Sequence, residues 1–177
     1  MNNVTYQALC ACFGLAPSSQ EASVLIREAY QEPENAPRPP RSTDMIYYTV
    51  LPDVSAQEAP PAYSAENPAS ASHAAAVSSF SAWTLQVICY GPHALTNARK
   101  IRAFLFVDGP GFPRAILRKS GIYPVPDPPE PLLLHEPEGS LWRERADLTV
   151  RLRMKETQTH PARRGAIAIV PAISIHH

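Results

Sequence analysis

The stretch from Phe80 to Asp108, FSAWTLQVICYGPHALTNARKIRAFLFVD, constrains the fold more than any other part of the chain. It joins two periodicities without a gap. Trp83, Leu85, Val87 and Cys89 point to one face of a strand, and Thr84, Gln86, Ile88 and Tyr90 to the other. Gly91-Pro92 breaks that strand, because proline has no N–H for a ladder and glycine turns freely. Pro92 suits the first turn of a helix, where a missing N–H costs nothing. Beyond it the spacing becomes helical. Ala94, Ala98, Ile101 and Leu105, with Phe104 beside them, form a stripe to be buried, while Asn97, Arg99, Lys100 and Arg102 lie largely off it. Gly109-Pro110-Gly111 ends the helix. A strand–turn–helix unit cannot bury its faces on itself, so the rest of the chain must supply partners.

Two segments offer them. Asp44–Leu51 (DMIYYTVL) is rich in β-branched and aromatic residues and reads as a strand that Pro52 stops. It is expected to pair antiparallel with residues 78–90. Residues 141–156 carry the cleanest alternation in the chain. Ala146, Leu148, Val150, Leu152 and Met154 share one face; Arg145, Asp147, Thr149, Arg151 and Arg153 share the other, as in a long half-buried strand. Leu148, Val150 and Leu152 are expected to pack on the Ile101–Leu105 stripe.

Helices are expected at two further places. Asn2 or Asn3 can cap one running to about Phe13, with Val4, Ala8, Ala11 and Leu15 on its apolar face and Leu9 and Cys12 adjacent; Gly14 and Pro17 end it. Residues 112–119 read as a second short helix that Ser120-Gly121 terminates. Residues 23–30 (SVLIREAY) fit a short helix or a strand, the length favouring a strand. The chain holds 20 prolines, about twice the usual share, and they fall between the periodic segments. Residues 32–41 and 122–131 are therefore expected to be extended, and 132–140 to be a connector turning at Glu138-Gly139. Residues 53–77 are Ala, Ser, Pro and Glu with almost no large apolar side chain, a composition that cannot offset its ordering entropy. That predicts a flexible loop. In the tail, Ile167, Ile169, Ile173 and Ile175 share a face around Pro171, which suits an edge strand or an arm over 157–177.

At 177 residues the chain is expected to form a single domain. Its formal net charge is zero, which removes any whole-chain argument for steering to nucleic acid or an acidic membrane. Cys10, Cys12 and Cys89 are too few and too scattered for a disulfide framework, and Cys10-x-Cys12 lacks a second ligand pair for zinc. Small buried thiols in a reducing compartment are expected. There is no basic start followed by an apolar run, as in a signal peptide, and no apolar run long enough to span a membrane. No catalytic constellation stands out. Asp108-Gly-Pro-Gly111 lacks the Lys-Ser/Thr of a phosphate loop and reads as a turn; His135, His160, His176 and His177 have no ligand spacing; no serine sits in a G-x-S-x-G elbow. No enzyme, cofactor or metal is expected.

The sharp feature is the basic face of the long strand, where Arg143, Arg145, Arg151, Arg153 and Lys155 project on one side. It is either a solvated face partnered by Asp147 and local acids, or a surface that meets nucleic acid or an acidic partner.

Taken in order, DMIYYTVL, WTLQVICYGPHALTNARKIRAFL, GIYPVP and WRERADLTVRLRM resemble the phage neck and tail terminator proteins, most closely the small neck terminator family of tailed phages. NAPRPP before the first strand fits as well, and the resemblance covers about Val24 to Glu156. It implies an α+β domain with a largely antiparallel sheet flanked by helices on one side. It also implies a virion protein assembled in the host cytoplasm into a ring, usually of six subunits, at the head–tail junction. Such a ring caps the tail tube, docks on the head connector and lets genomic DNA pass through its channel. Its neighbours are the connector and the tail tube, with or without sheath proteins. It has no membrane partner and needs no chemistry. The roles of residues 53–77 and of the tail are not carried over. In a ring, Arg143, Arg145, Arg151 and Arg153 would face either a neighbouring subunit or the channel. The subunit interface is preferred, because a chain of zero net charge has acids enough to pair them. A small nucleic-acid-binding module using that basic face is the alternative.

Overall fold

The computed structural model describes residues 1–29, 40–53, 62–65 and 74–161. The chain forms two compact units, one of Met1–Glu58 with Phe80–Lys155, the other of Ala59–Ser79 with Glu156–His177. The class is α+β, as the resemblance implies.

The strands are β1 (Ile26–Glu28), β2 (Met45–Pro52), β3 (Ala62–Ala65), β4 (Ala74–Tyr90), β5 (Ile122–Pro124), β6 (Leu132–Glu138) and β7 (Leu141–Pro161); β3, β4 before Phe80 and β7 after Lys155 belong to the second unit and the rest to the first. The order is β1-β2-β4-β7-β5, and β6 also pairs with β7. β1 lies parallel to β2, with Ile26 opposite Ile46. β2 runs antiparallel to β4 from Met45↔Tyr90 to Pro52↔Trp83, the pairing expected from the sequence. β5 and β6 both run antiparallel to β7, at Ile122↔Met154 and from Leu132↔Asp147 to Glu138↔Leu141.

One face of this sheet is the core. Leu85, Val87 and Cys89 from β4 and Ala146, Leu148, Val150 and Leu152 from β7 are buried on it, with Ile46 and Tyr48 from β2. The helices α1 (Asn2–Phe13), α3 (Ala94–Phe106) and α4 (Pro113–Lys119) join the same cluster, and α2 (Gln20–Leu25) adds Ala22. Ala94, Ala98, Ile101 and Leu105 of α3 are all fully buried, as the helical spacing predicts.

The Gly91-Pro92 turn locks α3 to the sheet. Gly91 has φ 106°, and a Cβ there would meet Asp44 Oδ1 at 2.6 Å and its Cα at 2.8 Å, so only glycine fits. Pro92 lies in the turn rather than in the helix, which starts at Ala94. Asp44, just before β2, anchors that start, accepting the His93 N–H at 3.0 Å and lying 2.9 Å from His93 Nδ1.

Several expectations are corrected. The buried stripe of α1 is Thr5, Ala8, Leu9 and Cys12, with Cys10; Val4 and Leu15 of the expected face pack against the core only partly buried, so the face is rotated from the expected one. The Thr5 hydroxyl donates to the Met1 carbonyl at 3.3 Å, which meets its polar need inside the helix and lets the stripe rotate onto it. Residues 23–28 divide between the end of α2, which the Ser19 hydroxyl caps at Ala22 N–H, and β1. Residues 132–138 form strand β6, not a connector. Its apolar and polar residues do not alternate cleanly, and its ladder to β7 comes from the two-residue turn at Gly139-Ser140, where Gly139 has φ 65°. β7 extends to Pro161, past the end of the strict alternation.

In the second unit, β3 pairs antiparallel with the first part of β4, from Ala62↔Ser78 to Ala65↔Ala75. The stretch read as a loop over 53–77 therefore contains β3 and the start of β4. Small Ala and Ser side chains leave backbone pairing as the main bond available to it. Ser78 Oγ lies 3.3 Å from Thr157 Oγ1. Residues 30–39, 54–61 and 66–73 fall outside the described residues. So do residues 162–177, which carry Ile167, Ile169, Ile173 and Ile175.

Candidate functional site

Strand parity assembles the site. The core takes Leu85, Val87 and Cys89 of β4 and the even positions of β7 from 146 on, so Ile88 and Tyr90 and the odd β7 positions go to the opposite face. Tyr47 of β2 arrives there too. Its ring meets that of Tyr90 edge-on, with centroids 6.0 Å apart and planes at 83°. The Arg143 guanidinium lies 4.9 Å above the Tyr90 ring, and that of Arg145 lies 5.9 Å from it.

Acids close the cluster. Arg145 donates through Nε and Nη2 to the two carboxylate oxygens of Asp147, at 2.7 and 2.8 Å, and lies 3.7 Å from Glu136. The bond to Asp147 raises the Arg145 pKa from its already high ordinary value. The Tyr90 hydroxyl donates to Glu136 at 3.0 Å; burial first, and then this acidic acceptor, push its pKa up. Arg41 donates to Glu138 at 2.9 Å and to its carbonyl. A pocket of about 300 Å³ opens between these groups, lined by Ala29, Tyr47, Ile88, Tyr90, Arg143 and residues 136–138.

Arg143 differs from its neighbours. It is only 8% exposed, and its Nε and Nη2 are buried without an acceptor. A buried donor left unsatisfied costs about 1–3 kcal/mol. The contact with Tyr90 offsets this by at most about 2 kcal/mol.

The expected basic stripe is thus divided. Arg143 is buried beside the pocket and Arg145 is paired within its own chain. Arg151 pairs with Asp127 at 2.8 Å on the surface. Arg153 is exposed and makes no ion pair among the described residues. Asp147, foreseen as a partner, binds Arg145. Tyr47, Tyr90, Glu136, Glu138 and Arg41 were not foreseen. Two large aromatics at non-core positions of adjacent strands were the available signal for the tyrosines.

The other conspicuous surface is the turn joining β6 to β7. Leu141 is 60% and Trp142 67% exposed, and Leu132 and Leu133 at the start of β6 are exposed as well. The large apolar pair at the turn, Leu141 and Trp142, marks a contact point, and Leu132 and Leu133 lie at the far end of the same ladder. The outer edge of β6 has no strand partner among the described residues.

Among the described residues no group of three or more His, Cys, Asp or Glu could hold a metal ion. Cys10, Cys12 and Cys89 are buried and unbridged, and burial pushes the thiols of Cys12 and Cys89 up to about 12. No helix among the described residues is long and apolar enough to cross a membrane. What the surface offers is shape, an open edge and oriented charge.

A family model described as phage neck terminator protein matches residues 3–176. The chain belongs to the phage neck terminator family. No curated protein matches it. A neck terminator is a structural component of the virion, located at the neck and associated with other head and tail proteins. The match takes in both units and extends beyond the stretch on which the resemblance rested.

Proposed function

We propose that this neck terminator assembles in the host cytoplasm into a ring, of six subunits, that caps the finished tail tube and joins it to the head connector. The ring's other neighbours are the tail tube and sheath proteins, and genomic DNA passes through its channel. The family match over residues 3–176 carries this reading. The exposed Leu141-Trp142 turn and the open β6 edge give a subunit the contact surfaces that a ring requires. In this reading Arg143, Arg145, Arg151 and Arg153 serve subunit contacts, and Ile167, Ile169, Ile173 and Ile175 belong to an arm that docks on a neighbouring ring or subunit.

Negative-stain images of the purified protein, alone and with tail tubes, test the proposal. Discrete rings that also cap tube ends are expected. A monomer at every concentration that binds DNA tightly, with steep salt dependence, would instead favour a nucleic-acid-binding module. The in-chain pairing of Arg145 and Arg151 argues against that alternative.

A further inference from the structure

We infer that the Arg143 pocket is a docking site for the Trp142–Glu144 segment of a second copy of this chain, with the Glu144 carboxylate as the group that Arg143 binds. The inference rests on the ring reading and gives it a specific joint.

The orphaned atoms define the ligand. Nε and Nη2 form one edge of the guanidinium, with two parallel N–H groups spaced to meet the two oxygens of a carboxylate. Two residues along the strand, the same edge of Arg145 is filled in that way by Asp147, at 2.7 and 2.8 Å. On Arg143 this edge is buried and has no acceptor, and the Arg143 side chain helps to line a pocket of about 300 Å³. The two acids in that wall are engaged elsewhere, Glu136 with the Tyr90 hydroxyl and Arg145, Glu138 with Arg41. One further carboxylate completes the pattern. A phosphate, with more charge, would meet Glu136 and Glu138 in the same pocket.

The same strand supplies a matching group on its other face. Glu144 is exposed and forms no ion pair among the described residues, and Trp142, two positions away and 67% exposed, projects beside it. Positions i and i+2 of a strand share a face about 7 Å apart. An indole and a carboxylate at that spacing match a pocket with Tyr47 and Tyr90 in its wall and the Arg143 edge at hand. Because pocket and knob lie on opposite faces of β7, a subunit cannot fill its own pocket. Inserting its knob into a neighbour leaves its own pocket free for the next copy. Contacts of this head-to-tail kind build rings.

Sedimentation velocity of the full chain over a range of concentrations tests the joint. Trp142→Ala and Glu144→Gln alter exposed side chains, so both are expected to keep the circular dichroism spectrum and melting curve of the parent. Each should raise the concentration needed for assembly about tenfold or more. Arg143→Met should do the same. Assembly of Trp142→Ala and Glu144→Gln at the parent concentration would overturn the inference while leaving the ring itself established. If the parent chain stays monomeric, the ring reading fails separately. A capped peptide of residues 139–146 then decides the pocket through the Arg143 Nε–H resonance in a ¹H–¹⁵N spectrum. A saturable shift, lost when the peptide carries Glu144→Gln, supports the site. No shift overturns it, as does a shift produced only by a short DNA duplex.

Discussion

Replacing Arg143 with methionine is expected to make the isolated subunit more stable, although it removes a residue with an extensive packed environment. The gain comes from the two buried donors without acceptors, at about 1–3 kcal/mol each. The loss is the contact with Tyr90, at most about 2 kcal/mol. Some attraction to Glu136 and Glu138 is lost too, but both already have partners at 3.0 and 2.9 Å. Methionine retains most of the buried stem and adapts to the space left by the guanidinium. The balance is a stabilisation of about 1–3 kcal/mol, within the range seen when buried charges give way to apolar groups. For a chain of this size that raises the midpoint of thermal unfolding by about 2–12 °C. Urea melts at concentrations below assembly measure it directly. Arg145→Met is the internal control. It strips Asp147 of a bidentate partner and should destabilise by about 1–3 kcal/mol. Should Arg143→Met lower stability by more than about 1 kcal/mol, Arg143 is a structural strut and the orphaned-donor reasoning is wrong. A more stable subunit that fails to assemble would show stability given up for function at this position.

Three further outcomes follow from the core and the turn. Leu152, 1% exposed against the helices, should cost about 2–5 kcal/mol as Leu152→Ala, read as a lower urea midpoint at unchanged slope. Gly91→Ala should cost about 3 kcal/mol or more, because its Cβ would lie 2.8 Å from the Thr43 carbonyl oxygen at a φ of 106°; a melting curve like the parent's would mean that the turn relaxes freely. Cys12 and Cys89, both pushed up to about 12 by burial, stay protonated in the fold where the unfolded chain's thiols, near 9, have ionised. The unfolded chain then binds fewer protons, so stability is full below pH 9 and falls as pH rises towards 12. The loss should be about 1.4 kcal/mol per thiol between pH 8 and pH 10, and Cys12→Ala and Cys89→Ala should each flatten the profile by that amount.

The parts of the fold that were legible in the sequence are those where one period dictates one face. The 80–108 unit and the 146–154 alternation place their buried residues as the structure does, because a strand or helix with one apolar side has a single orientation that buries it. β3 and β6 were illegible for the opposite reason. Ala62–Ala65 has little apolar area to pattern, and β6 (LLLHEPE) is an edge whose pairing is set by the turn at Gly139-Ser140 and not by its own side chains. The site was half legible. Parity alone places Arg143 and Arg145 on one face, but their different states depend on neighbours distant in sequence. Tyr90, Glu136 and Glu138 reach them only through the β4–β7 and β6–β7 pairings. A row of like charges read from sequence is therefore not yet a basic surface.

The outer pair of arginines gives the decisive test of which way this strand faces in a ring. Arg151 and Asp127 are both well exposed, and a surface pair of that kind contributes about 0–1 kcal/mol. Arg153 has no ion pair among the described residues. Replacing both with glutamate should therefore leave the isolated fold nearly unchanged, with a shift in stability within about 1 kcal/mol and the parent circular dichroism spectrum. Any larger consequence must come from partners. If these residues meet acids of a neighbouring subunit, reversal puts like charges together, and sedimentation should show monomers or misassembled rings that added salt partly rescues by screening. If instead they line the channel, a ring of about six copies carries about a dozen of these cations close to the duplex, and binding would be strong and steeply salt-dependent. DNA must slide through during ejection, and a wall that grips phosphate opposes that movement. The subunit interface is therefore the expected placement. Normal rings from Arg151→Glu/Arg153→Glu, defective only in DNA retention or ejection, would refute it and assign this face to the channel.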